Sequence, residues 1–513
     1  MTFSYNREKP VGVQPEMGMV SLGSSVDRDV EEGFCKHYVA GQWCEPEVNE
    51  WFDVTNSSTG EVVARTPLSS LTDIEPAIQA AAEAFPQWAE TSVSERVRIL
   101  YNYKKLLEEN LDHLARTIVI ENGKTLDEAR AELCRGIEVV ELACATPMLI
   151  KGQTLDNVRG IDYQTTRCPL GVCAGIGAFN FPFMIPHWMF PVALACGNTF
   201  VFKPSHQTPL TTLAFAPLLE KAGLPPGVFN VVHGAKRAVD ALQAHPLVRA
   251  VSFVGSTAVS QYVYRTGSAN GKRVQAEGGA KNHFVVMPDA PIDRVVREIV
   301  SGAFGSAGAR CMATSTVVLV GGAGDKLVAP LRQAAAELRV GRTDTDTVVD
   351  MGPLVSAEHK KRVVAYIERG QEEGAELILD GRDVYVPGAP RGFFLGPTLF
   401  DYVRPEHTIA REEIFGPVLS IMHMDTLDEA IAQINQSPYG NAVCIYTRDA
   451  QAARRFRNRV NVGMVGINVG VPAPAAFFSF AGWKASFFGD LHVQGTECSA
   501  FYTQEKVIST RWI

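Results

Sequence analysis

Ala250-Val251-Ser252-Phe253-Val254-Gly255-Ser256-Thr257 reads as a buried strand that passes through a glycine turn into a helix. Three similar runs precede it: Val172-Cys173-Ala174-Gly175-Ile176, Thr199-Phe200-Val201-Phe202 and Val228-Phe229-Asn230-Val231-Val232. Each ends in Gly, Pro or small polar residues, and helical stretches separate them. This alternation predicts a doubly wound parallel α/β sheet. A second α/β block runs from about 283 to 470. Its strand candidates are Phe284-Val285-Val286-Met287, Thr316-Val317-Val318-Leu319-Val320 and Ala442-Val443-Cys444-Ile445-Tyr446. Two such blocks imply a cleft between them, the usual meeting place of cofactor and substrate.

Upstream, Tyr38-Val39-Ala40-Gly41-Gln42-Trp43 reads as a hairpin. Thr72, placed before Ile74, Ile78, Ala81 and Phe85 at helical spacing, predicts a capped helix start. Further helices are expected over about Ser94 to Glu109, from about Leu111, and over about Thr125 to Met148. Strands are also expected at Asp162-Tyr163-Gln164-Thr165-Thr166 and at Ser499-Ala500-Phe501-Tyr502-Thr503.

The chain has 513 residues, too many for one hydrophobic core, so two or three domains are expected. Its 46% hydrophobic and 20% charged residues are those of an ordinary globular protein. A formal net charge of −8 supplies no strong basic field for nucleic acid or an anionic membrane. No run of about 18 uninterrupted apolar residues suggests a membrane span. The N-terminus lacks a basic-then-apolar signal pattern, and Asp27, Asp29, Glu31 and Glu32 argue against a transit peptide. Residues 1 to about 34 read as a flexible arm. The ten cysteines form no paired framework. Cys134, Cys144 and Cys196 lie in apolar or helical stretches and read as small buried hydrophobes. A reducing, cytoplasmic setting fits this usage, and no metal site is expected.

Three places could carry chemistry. Gly255 and Ser256 sit where a strand opens into a helix, and a helix N-terminus attracts phosphate; many structural turns look the same. Lys203, in Lys203-Pro204-Ser205, leaves a strand end and could hold a ribose or phosphate, or be simply solvated. Cys311 ends the small-residue run Gly305-Ser306-Ala307-Gly308-Ala309-Arg310-Cys311. Small residues keep such a site open, and a cation such as Arg310 favours the reactive thiolate. A structural cysteine remains the competing reading.

Taken together, the motifs resemble those of the aldehyde dehydrogenase family. Phe179-Asn180-Phe181-Pro182, Gly197-Asn198-Thr199, Lys203-Pro204-Ser205, Phe253-Val254-Gly255-Ser256-Thr257, the Cys311 segment and Glu413-Ile414-Phe415-Gly416-Pro417 occur in that family's order. The resemblance runs from about residue 36 to the C-terminus. Gly278-Gly279-Ala280-Lys281-Asn282-His283, Arg310-Cys311-Met312 and Ser479-Phe480-Ala481-Gly482-Trp483-Lys484 are similar to the CoA-acylating methylmalonate/malonate-semialdehyde branch.

The resemblance implies two doubly wound α/β domains and a β oligomerisation arm. The nucleotide domain would take 35–150 and 171–282, the catalytic domain 283–485, and the arm 151–170 with 486–513. Cys311 would attack the aldehyde, and Asn180 would hold the oxyanion. NAD, with NADP not excluded, would lie against Phe179, Lys203, His206, Gly255, Ser256, Glu413 and Phe415. Arg135 and Arg310 would clamp a substrate carboxylate. The acyl group would pass to CoA, with loss of CO2. A homodimer or homotetramer is expected.

Competing local roles stay open. Asn180 could cap a turn, Glu413 could pair with Arg411, Phe415 could be core, and Arg135 could pair with Glu132 or Glu138. Two departures from the family stand out. His206 occupies the place of a ribose-binding Glu, which weakens discrimination against a 2′-phosphate. The hydrolytic family's base falls at Ala276, while Glu277 stands where the branch has an apolar residue. Its register differs by one, so its carboxylate is expected to point elsewhere, as a salt-bridging or loop residue. A hydrolytic dehydrogenase releasing a free acid, or a non-catalytic paralogue, are the alternatives.

Overall fold

The computed structural model describes residues 33–512. The flexible arm expected over residues 1–34 therefore lies almost wholly outside the described residues.

Five strands form the parallel centre of the first sheet, in spatial order Phe229–Val231, Thr199–Lys203, Val172–Ile176, Val248–Val254 and Arg273–Glu277. Val172–Ile176, Thr199–Lys203 and Val248–Val254 are almost wholly buried and mostly apolar, as strands covered on both faces must be. The order reverses between Val172–Ile176 and Val248–Val254, so the loops that leave these neighbours part company and open a crevice. Phe179 and Asn180 follow one strand, and Gly255 and Ser256 follow the other. The hairpin His37–Val39 and Gln42–Cys44 extends one edge. Phe487–Phe488 adds antiparallel to the other edge, where the sequence reading had placed the start of the arm.

The second sheet has seven strands, in order Glu376–Leu379, Thr398–Asp401, Val418–Met424, Thr316–Val320, His283–Val286, Ala442–Tyr446 and Met464–Ile467. All pairs are parallel except Glu376–Leu379 with Thr398–Asp401. Its own reversal falls between His283–Val286 and Ala442–Tyr446. The arm is a three-stranded antiparallel sheet of Thr503–Thr510, Asp162–Pro169 and Thr154–Leu155. Among the described residues no helix is long and apolar enough to cross a membrane.

Four local expectations are corrected. The first long helix is Leu71–Glu90, capped by Ser70 and not Thr72: Ser70 is extended, and its N–H donates to Asp73 at 2.7 Å, closing a capping box. The helix expected to reach Met148 is Leu126–Cys144, followed by a separate turn Thr146–Leu149 with a proline in its first turn. Residues 499–501 belong to a helix, Gly495–Phe501, and the strand begins only at Thr503. All ten cysteines are free and Cys144 and Cys196 are buried, but Cys134 is exposed.

The Gly197-Asn198-Thr199 motif explains how the tail is held. Asn198 is fully buried, and its side chain uses both its acceptor and its donor ends. Its Oδ1 accepts from the Leu170 and Gly171 N–H groups at 2.7 and 3.1 Å, and its Nδ2 donates to the Ala193 and Tyr502 carbonyls at 3.1 and 2.9 Å. Replacing Asn198 by Ala removes the side-chain partners of the Leu170 and Gly171 N–H groups and of the Tyr502 carbonyl, and is expected to cost about 3 kcal/mol, read as a lowered denaturation midpoint.

Candidate active site

Asn180 is fixed from behind. The chain leaving Val172–Ile176 must turn away from its sheet, and its backbone groups need partners. The segment Asn122 to Glu132 supplies them. Asn122 Nδ2 donates to the Phe179 carbonyl at 2.9 Å, and Lys124 Nζ donates to the Asn180 carbonyl. Glu132 Oε1 accepts from the Phe183 and Met184 N–H groups at 2.8 and 3.1 Å. Lys124 and Glu132 pair with each other at 2.5 Å, with side chains 1% and 0% exposed. The Lys124 ammonium also lies 3.8 Å from the centroid of the Phe181 ring. With its backbone held, Asn180 is buried, and its Nδ2 donates to the Ala309 carbonyl at 3.1 Å. It therefore caps no local turn but reaches the segment that carries Cys311.

Cys311 is held from the second sheet. Asn282 and Asn441 immediately precede the two strands at that sheet's reversal, His283–Val286 and Ala442–Tyr446. Their Nδ2 atoms both donate to the Cys311 carbonyl, at 2.9 and 3.0 Å. Neither asparagine was singled out from sequence, because each acts through a backbone oxygen far along the chain. The nucleophile thus stands where the C-terminal edge of one sheet faces the N-terminal edge of the other.

Burial pushes the Cys311 thiol up to about 12, and the carboxylates of Glu413 and Glu277 raise it further. The expected help from Arg310 is not seen, because that guanidinium is turned to Glu128, Nη2 to Oε1 at 3.0 Å. Arg135 is likewise occupied. It pairs with Glu138 at 2.7 Å and donates to the Pro474 carbonyl. Of the two partners expected for Arg135, Glu138 is therefore the one found, while Glu132 belongs to Lys124. Each arginine of the expected clamp has its own carboxylate partner.

Of the residues expected around a nucleotide, Phe179, Lys203 and Ser256 stand at or just after strand ends of the first sheet, and Phe415 reaches Phe179 from the second domain. Ser256 is the N-cap of the helix Thr257–Ala269, and its hydroxyl makes no capping bond within that helix, so it is free to meet a phosphate at the positive helix end. Glu413 is not paired with Arg411. Its Oε1 accepts the Ala280 N–H at 2.9 Å, and burial raises its carboxyl to about 7 against that hydrogen bond and the charge of Lys281. Phe415 adopts a left-handed φ of 60° and meets Phe179 edge-on at 5.8 Å. His359, which the sequence reading missed, completes this aromatic wall, with Nε2 2.7 Å from the Phe415 carbonyl. Lys203 is buried and donates to the Pro204 and Gly234 carbonyls at 2.7 and 3.0 Å; burial lowers it to about 8. Burial, and then the charge of Lys203, hold His206 down at about 4, so it is neutral at physiological pH. Its ring packs edge-on to Phe52 at 4.6 Å. Among the described residues no cluster of three or more potential metal ligands occurs.

Glu277 is neither a loop residue nor a salt bridge. It ends the strand Arg273–Glu277, is 2% exposed, and has no ion-pair partner among the described residues. Its carboxyl lies under the tail, against Gly482 and the Val493 amide. Burial pushes it well above its ordinary value, and Glu497 adds to the shift.

A nucleotide crevice at one sheet's reversal, with a cysteine nucleophile and an amide donor facing each other across it, defines a thiol-dependent aldehyde oxidoreductase architecture. The chain belongs to the aldehyde dehydrogenase family, whose model matches residues 43–508. It is 51% identical to malonate-semialdehyde dehydrogenase 1 of Geobacillus thermodenitrificans over 479 residues, covering 93% of this chain and 98% of the relative. It is 49% identical to malonate-semialdehyde dehydrogenase of Halalkalibacterium halodurans over 478 residues, with 93% and 98% covered. Among solved structures, methylmalonate-semialdehyde dehydrogenase from Oceanimonas doudoroffii matches with a TM-score of 0.91 and 49% identity, over 93% of this chain and 98% of that one. A putative methylmalonate-semialdehyde dehydrogenase from Sinorhizobium meliloti, complexed with NAD, matches with a TM-score of 0.92 and 44% identity, over 94% and 98%.

The raised Glu277 carboxyl ties stability to pH. A carboxyl whose folded-state value lies above its unfolded value of about 4.5 contributes stability below that pH and loses it as pH rises. Glu277→Gln should therefore melt above the wild type at pH 8, with the gap closing towards pH 4.5, in parallel thermal melts.

Proposed function

We propose that this chain oxidises malonate or methylmalonate semialdehyde with NAD, through an acyl thioester on Cys311 that is passed to CoA. The observation that carries this reading is the meeting of Asn180 with the Cys311 segment, Nδ2 to the Ala309 carbonyl at 3.1 Å, on a chain half identical to semialdehyde dehydrogenases. The Cys311 thiolate, formed as the thiol proton leaves to solvent, adds to the aldehyde carbon while the C=O π pair moves onto oxygen, giving an oxyanion. Asn180 Nδ2 and the Cys311 N–H stabilise that charge where it develops. Ser256, Lys203, Glu413 and the Phe179–Phe415 wall are the residues that would hold NAD, which accepts a hydride when bound. Neutral His206 neither repels nor attracts a 2′-phosphate; the preference for NAD rests on the branch.

Release of the acyl group decides the product. Ala276 stands where a hydrolytic base would be needed, so no carboxylate is aimed at a deacylating water from that position. A thiol acceptor needs less help, being more acidic and more nucleophilic than water. Transfer to CoA with loss of the β-carboxylate as CO2 gives acetyl-CoA or propionyl-CoA. Arg310 and Arg135 are the cations available to a substrate carboxylate. The exposed arm strand Thr503–Thr510, with Val507 62% exposed, supports a homodimer or homotetramer.

Cys311→Ser should lower NADH formation by about 10³-fold or more, and Asn180→Ala should lower kcat by about 10²-fold with little change in KM. In the same steady-state assay, wild-type turnover with malonate semialdehyde should require CoA and yield acetyl-CoA. NADH formation that proceeds equally fast without CoA, with a free acid as product, would contradict the CoA reading.

A further inference from the structure

Glu128 stands outside every role assigned so far, yet it touches the nucleophile's segment twice. It is the third residue of the helix Leu126–Cys144. Its Oε2 closes the capping box on the Thr125 N–H at 3.1 Å. Its Oε1 crosses the crevice and accepts from the Ser306 N–H at 2.6 Å and from Arg310 Nη2 at 3.0 Å. Arg310 Nε then returns to Ser306 Oγ at 3.2 Å, closing a ring of three side chains. The pair is largely removed from water, with side chains 23% and 17% exposed.

Two further features show that this ring holds something under constraint. Ser306, Ala307 and Gly308 are consecutive left-handed residues, at φ 50°, 49° and 73°. Only glycine adopts that region freely, so Ser306 and Ala307 need an external hold. Glu128 grips the first of them by its amide. A Cβ at Gly305 would fall 2.5 Å from Arg310 Nη1, so the guanidinium lies directly on the glycine backbone. Nε and Nη2 are thus committed, while Nη1 has only a 3.5 Å contact with the Ser301 carbonyl. That leaves one edge of a rigidly placed guanidinium for an incoming carboxylate.

We propose that Glu128 is a positioning residue that orients Arg310 towards the substrate carboxylate and holds the left-handed turn ahead of Cys311. The inference rests on the reading of Arg310 as a carboxylate partner. A carboxylate, unlike a neutral side chain, supplies the charge that keeps both donors aligned. Discrimination between a carboxylate-bearing aldehyde and an uncharged one of similar size therefore depends on Glu128, although it touches neither.

The test compares kcat/KM for malonate semialdehyde and for propanal in the wild type, Glu128→Gln, Glu128→Ala and Arg310→Leu. Glu128→Ala should lower the semialdehyde-to-propanal ratio by about 10-fold or more, mainly through a higher KM for the semialdehyde. Glu128→Gln, which keeps the shape and an acceptor, should fold as the wild type and fall between. A ratio unchanged in both Glu128 variants while Arg310→Leu collapses it would overturn the role of Glu128 alone. A ratio unchanged in Arg310→Leu would remove the carboxylate reading beneath it, and the inference with it.

Discussion

The buried pair of Lys124 and Glu132 is the interaction from which the rest of the site is built. A dry ion pair is costly unless its remaining hydrogen-bonding capacity is used. Here the spare capacity is spent on one loop: the ammonium takes the Asn180 carbonyl, and the second carboxylate oxygen takes the Phe183 and Met184 amides. Burial lowers the Lys124 ammonium, and the adjacent Glu132 opposes that shift. The pair and the loop are therefore mutually dependent. Without the loop the charges would be under-solvated, and without the charges the loop would carry unsatisfied backbone groups. The product is an asparagine whose amide is aimed outward with little freedom, which is what stabilising a transient oxyanion requires.

The opposite wall follows the same logic with neutral groups. Asn282 and Asn441 come from adjacent strands and converge on one carbonyl, that of Cys311. Adjacent strands lie only about 4.8 Å apart, so two short amides rooted at their ends can reach a single atom. The two sheets thus contribute complementary halves. One presents its C-terminal edge with the amide donor and the phosphate-seeking helix end, and the other presents its N-terminal edge with the nucleophile. Glu128 links them, since it belongs to the helix that follows Lys124 yet binds the segment before Cys311.

Strands of the two sheets were legible because doubly buried strands are continuous apolar runs, and the turns after them carry Gly and Ser. The error at residues 499–501 has the same source. Phe501 and Tyr502 are buried, and a short apolar run does not distinguish a strand from one helical face. Cys311, Asn180 and Glu413 were singled out from ordered motifs, not from local chemistry. The expectation of two arginines free to form a clamp failed because sequence does not reveal a partner from a distant part of the chain. Glu128 lies 182 residues from Arg310, and Pro474 lies 339 residues from Arg135. Lys124 and Glu132 were missed for the same reason: their targets are backbone atoms that become neighbours only after folding.

The neighbouring residues Ala276 and Glu277 face opposite sides of their strand, and it is the Glu277 carboxyl that acts on the Cys311 thiol. Side chains alternate across a strand, so a shift of one residue moves a group to the opposite face. Ala276 packs with Val251, Phe253 and Val274 in the apolar layer on one face. The Glu277 carboxyl lies against Gly482 and Val493 of the tail. That dry setting pushes it well above its ordinary value. Ionised, it would raise the thiol further, as its contribution at Cys311 demonstrates. The strand's alternation thus sends Ala276 into the core and sets the Glu277 carboxyl under the tail, within electrostatic reach of Cys311.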